Sequence, residues 1–131
     1  MYNYKKSAPL GYTDAVAKVK EELKKEGFGI LTEIDVKQTL KTKLNVDFED
    51  YIILGACNPP LAHQALTAER DIGVLLPCNV IIYAQNGKTY ISAVLPTVQL
   101  GKVGNPKLLP IAEQVENMLK KVVDVAVKAG R

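Results

Sequence analysis

The chain has 131 residues, of which 47% are hydrophobic and 24% charged, with a net charge of +3. That length suits one domain over 1–131 with a single core, and the composition excludes a largely disordered chain. The lysines are spread as Lys5-Lys6, Lys24-Lys25 and Lys120-Lys121, with glutamates between, so no basic stripe marks nucleic acid as a partner.

The alternation around Tyr2 and Tyr4 predicts a short strand that ends at Pro9 and Gly11. Over 13–26, Val16, Val19 and Leu23 share one face among lysines and glutamates; Thr13 is the predicted cap and Gly27 the left-handed stop. This reads as an amphipathic helix. Ile30, Thr32, Ile34 and Val36 then alternate with Leu31, Glu33 and Asp35, the period of a strand with one buried face. Leu40 and Leu44 fit a short helix over 38–44.

The continuous apolar run Tyr51-Ile52-Ile53-Leu54-Gly55-Ala56 predicts a central strand with both faces covered, and it delivers Cys57. Asn58 is a natural N-cap with Pro59 at the first helical position, opening a helix over about 60–71 that turns Leu61, Ala65 and Ile72 to the core and stops near Gly73. Over 80–95 two apolar strands flank Asn86-Gly87, the preferred pair for a two-residue hairpin; the implied register sets Gln85 against Lys88, Tyr83 against Tyr90 and Ile82 against Ile91. A loop through Gly101, Gly104 and Pro106 precedes a final helix over about 108–126, striped by Ile111, Val115, Met118, Leu119 and Val122 and ended by Gly130. The predicted class is α+β, one mixed or mostly antiparallel sheet covered by helices, in the order β-α-β-(short α)-β-α-β-β-α.

Chemistry-bearing residues gather around the third strand and the helix after it. Cys57 and Cys78 flank that helix, with the single histidine, His63, between them and Asn58 and Asn79 beside the two thiols. A cysteine at a helix start is expected to feel unpaired backbone N–H groups, which would lower its thiol pKa and give a place for an anion. The leading expectation is therefore a domain that binds a small molecule or an anion at Cys57, Asn58, His63, Cys78 and Asn79. Two alternatives stand beside it: a thiol-dependent or redox enzyme using Cys57 with Cys78, and a structural subunit that acts by self-association. Three potential soft ligands without a close Cys-x-x-Cys pair fall short of a zinc set, so no metal and no cofactor are expected. Nucleotide-binding and hydrolase motifs are absent from the sequence.

No apolar run approaches the ~20 residues needed to span a bilayer, and Met1-Tyr2-Asn3-Tyr4-Lys5-Lys6 lacks the apolar stretch of a secretion signal. The expected location is the cytoplasm, with no membrane partner and both cysteines reduced.

Leu54-Gly55-Ala56-Cys57-Asn58-Pro59, followed by Ala65-Leu66 and then by Leu76-Pro77-Cys78-Asn79-Val80, resembles the signature of the bacterial and archaeal family catalogued as domain of unknown function 302. The similarity extends over nearly the whole chain, through the helix closed by Gly27-Phe28 and the last helix with Ile111-Ala112. The resemblance implies a compact α+β fold and a homodimer, and no established activity. It carries over to Cys57, Asn58, Pro59, Pro77 and Cys78 and stops at Asn79, where that family commonly has a basic residue.

Overall fold

The computed structural model describes residues 1–128. Five strands form one antiparallel sheet in the order β1-β5-β4-β3-β2, with β1 at Asn3–Ala8, β2 at Gly29–Asp35, β3 at Tyr51–Cys57, β4 at Cys78–Gln85 and β5 at Lys88–Val94. The helices are α1 (Tyr12–Lys25), α2 (Val36–Leu44), α3 (Pro59–Ala68), α4 (Pro96–Gly101) and α5 (Leu108–Lys128), and a 3-10 segment, Arg70–Leu75, follows α3. The α+β class and the predicted order hold, with α4 and the 3-10 turn added. The helix stop expected at Gly130 lies outside the described residues.

The core is the layer between one sheet face and the pair α1 and α5. Leu54 of β3, Val80 and Ile82 of β4, and Ile91 and Ala93 of β5 meet Val19 and Leu23 of α1 and Leu119, Val122 and Val123 of α5, all buried. These strand residues are cross-strand neighbours, so they project from one side of the pleat. The hairpin has the predicted register, and Asn86 and Gly87 both take positive φ (53° and 78°), as a two-residue turn between twisted strands requires.

Local chemistry fixes the element ends. Gly27, at φ 85°, stops α1 as predicted, whereas the start of α1 is capped by Gly11 with no side-chain bond, so Thr13 lies inside the helix. Asp35 caps α2 by accepting from the Gln38 backbone N–H at 2.9 Å, which starts that helix at Val36.

Two strand expectations change. A register irregularity between Ile30 and Thr32 breaks the alternation of β2: Ile30 packs against the core, while Ile34, beyond it, is 47% exposed on the opposite face. Glu33 thereby falls on the helix side, where it accepts an ion pair from Lys20 at 2.8 Å. The continuous apolar run of β3 is not covered twice. Leu54 and Ala56 enter the core, but Tyr51 and Ile53 are only half-buried on the face that α1 and α5 leave open. No helix is long and apolar enough to cross a membrane among the described residues.

Candidate functional site

At the end of β3 the sheet, α3, α4 and α5 enclose a cavity of about 300 Å³. Ala56 and Cys57 reach it from β3, Pro77 and Cys78 from the start of β4, Leu61 and Ala65 from α3, and Ile111 and Val115 from α5. Phe28 and Leu31 close one side, and Leu31, displaced at the irregularity in β2, is 64% exposed at that margin. The wall is hydrocarbon except for the Asn58 amide and two thiols.

Register explains why both cysteines arrive here. Ala56 pairs with Cys78 across β3 and β4, so Cys57 at the last position of β3 and Cys78 at the first of β4 are held on adjacent strands at the same sheet end. Both thiols are free. Gly55, one residue earlier, lets the two segments close: a Cβ there would collide with Thr32 Oγ1 and come within 2.8 Å of Pro77 Cγ.

The thiol chemistry is the reverse of the sequence expectation. Burial pushes the Cys57 thiol above its ordinary pKa. Burial, and then the nearby Cys57, push Cys78 up to about 11. Neither is poised as a thiolate at neutral pH.

The helix start is also chemically quiet. Pro59 and Pro60 occupy the first two helical positions of α3 and have no N–H to offer. The Leu61 N–H donates to Asn58 Oδ1 at 3.4 Å and the Ala62 N–H to the Asn58 carbonyl at 2.8 Å. The expected nest of unpaired donors is thus absent from the first turn. Asn58 itself is engaged at both ends, since its Nδ2 donates to the Glu26 carbonyl at 3.4 Å, tying the end of α1 to the start of α3.

Of the five residues singled out in the sequence, three meet at the cavity: Cys57, Asn58 and Cys78. His63 does not line it; it is exposed on α3, where its carbonyl accepts from Thr67 Oγ1 at 2.8 Å. Asn79 is exposed opposite Gly55, on the sheet face away from the core. Among the described residues no group of three His, Cys, Asp or Glu side chains is placed to hold a metal ion. Sequence reasoning missed the apolar wall, because Phe28, Leu61, Ala65 and Ile111 carry only the ordinary signal of core positions.

Comparison with known proteins agrees with this architecture. A family model described as "Domain of unknown function DUF302" matches residues 4–126. A crystal structure of an uncharacterized conserved DUF302 protein from Bacillus stearothermophilus superposes with a TM-score of 0.89 at 34% sequence identity, covering 95% of this chain and 97% of that one. No curated protein matches the sequence.

Proposed function

The chain belongs to the DUF302 family of domains of unknown function, and from that premise we propose that it binds a small, uncharged, largely apolar molecule in the cavity beside Cys57 and Cys78. The observation that carries this reading is the pairing of volume and lining. About 300 Å³ is at the lower end of ligand pockets, and a hydrocarbon wall with one amide and two protonated thiols rewards apolar surface. An anion is poorly served, because a buried charge needs donors and the first turn of α3 has none to spare. The cavity opens beside exposed Leu31, which supplies an entrance.

Titration with the uncharged fluorophore N-phenyl-1-naphthylamine tests the proposal, beside thermal shifts with inorganic phosphate and sulfate. Saturable fluorescence in the wild type that falls at least tenfold in affinity in Ala65→Phe is the expected result, with no shift from either anion. Equal affinity in the filled variant, or no binding at all, overturns it.

A thiol-dependent reaction is the second reading, and its support is that Cys57 and Cys78 border one cavity on adjacent strands. Treatment with hydrogen peroxide, the oxidant in this test, would join them with the loss of two hydrogens while the peroxide is reduced to water. Tryptic mass mapping that recovers only unlinked peptides after peroxide rejects this reading.

A further inference from the structure

The irregularity in β2 has no explanation in core packing alone. Ile30 pairs with Ala56 and Thr32 with Gly55, so Leu31 is an extra residue with no partner in the ladder. Its effect on direction follows from parity. Ile30 packs into the core, so in an uninterrupted strand Leu31 would turn to the open sheet face and Thr32 to the helices. Thr32 instead stands on the open face, where its Oγ1 takes the space that a Gly55 Cβ would need. Leu31 is thereby re-aimed to the helix side and joins the cavity wall beside Phe28.

Leu31 differs from the rest of that wall in its freedom. Phe28 is 3% exposed within the core, and Asn58 is bonded at both ends of its amide. Leu31 is 64% exposed, and β2 is an edge strand whose one neighbour in the sheet is β3. Of the large hydrophobic side chains left exposed among the described residues, it alone lines the cavity. An exposed side chain changes rotamer in picoseconds to nanoseconds, with no movement of the backbone. Turned outward, Leu31 leaves its apolar surface in water; turned over an apolar guest, it removes its own surface and the guest's from water together. A bulge can also blunt an edge strand against pairing with another chain, but β2 already carries Glu33 and Asp35 for that purpose.

We propose that the β2 bulge makes Leu31 the lid of the cavity: its side chain folds over a bound apolar guest and slows that guest's release. The inference rests on the cavity-binding reading and adds to it the residue that sets how long the guest stays. The mouth beside Leu31 is then both the entrance and its closure. Entry needs only a rotamer change, whereas departure must first break the contact between the isobutyl group and the guest.

Stopped-flow fluorescence of N-phenyl-1-naphthylamine tests this on the wild type, Leu31→Ala, Leu31→Met and a chain with Leu31 deleted. Leu31→Ala keeps the bulge and removes the lid. Dissociation should accelerate about tenfold, the order expected for withdrawing three carbon groups from the guest, while association is little changed. Leu31→Met, of similar volume, should restore slow release. Deletion joins Ile30 directly to Thr32 in a regular ladder, so its urea midpoint should be no lower than that of the wild type while its release is as fast as in Leu31→Ala. Unchanged release from Leu31→Ala overturns the lid, as does equal acceleration in Leu31→Met, which would mark a response to any change at this position. The two levels fail differently. Probe that binds the wild type and is weakened by Ala65→Phe, with release unchanged in Leu31→Ala, removes the lid and leaves the cavity; no saturable binding by the wild type removes both.

Discussion

Ala65→Leu asks whether the space beside the cysteines is empty room or a tightly packed core. Ala65 is 3% exposed and lines the cavity from α3, a helix in which leucine is nearly as well tolerated as alanine. The substitution adds three carbon groups, worth about 0.8 kcal/mol each when buried, or about 2.4 kcal/mol at most. Rotamer entropy costs about 0.5–1 kcal/mol of that, leaving about 1.5 kcal/mol of added stability. For a domain of 131 residues this raises Tm by about 6 °C. Calorimetric scans of wild type and variant measure it directly. In a close-packed wall the same three groups would be overpacked and would cost about 1–3 kcal/mol, so a Tm lowered by several degrees would refute the cavity and the binding proposal built on it.

Gly55→Ala forces a Cβ against Thr32 Oγ1 and Pro77, and we expect a loss of about 2 kcal/mol in urea denaturation; an unchanged midpoint would mean that β2 and the segment before β4 do not close as described. Alkylation of the thiols by iodoacetamide should be slow at pH 7, rising above pH 9 for Cys57 and only near pH 11 for Cys78; half-maximal reactivity of Cys57 below pH 8 contradicts the effect of burial. Burial raises the Glu22 carboxyl pKa, but hydrogen bonds from Lys25 and Lys18 outweigh it and hold the carboxyl below the ordinary value. A carboxylate lowered on folding stabilises fully above its unfolded pKa of about 4.3, and that contribution is lost as pH falls through the lowered folded value. Thermal midpoints from pH 7 to pH 2 should therefore fall on acidification, and less steeply for Glu22→Gln; identical slopes would place the acid sensitivity elsewhere.

Most of the fold was legible because its signals are local. The Asn86-Gly87 turn fixes the β4 and β5 register by backbone conformation alone, and the stripe from Ile111 to Val122 places α5 against the core by spacing alone. Where the reading failed, the cause was not local. A one-residue irregularity between Ile30 and Thr32 turned Ile34 to the opposite face of β2, and alternation has no mark for it, because Leu31 is as apolar as Ile30. The run from Tyr51 to Ala56 likewise suggested two covered faces, yet within one chain only one is covered. A sequence records that a face is apolar; whether a helix of the same chain or a surface of another covers it is a question of topology.

The site shows the same division in chemical terms. Cys57 and Cys78 were found as a pair because unusual side chains stand out, and the antiparallel register did bring them to one sheet end. Their thiol pKa values are raised rather than lowered, for a reason the sequence itself contains. Two consecutive prolines, Pro59 and Pro60, remove two of the N–H groups a helix start would otherwise leave free, the N-cap side chain of Asn58 takes that of Leu61, and the Ala62 N–H makes the first ordinary helical bond, to the Asn58 carbonyl. Helix-start chemistry needs donors that the opening Asn-Pro-Pro of α3 has already spent. With those donors gone, the thiols sit in an apolar wall where burial raises their pKa, which is the setting from which the proposal of an uncharged guest is argued.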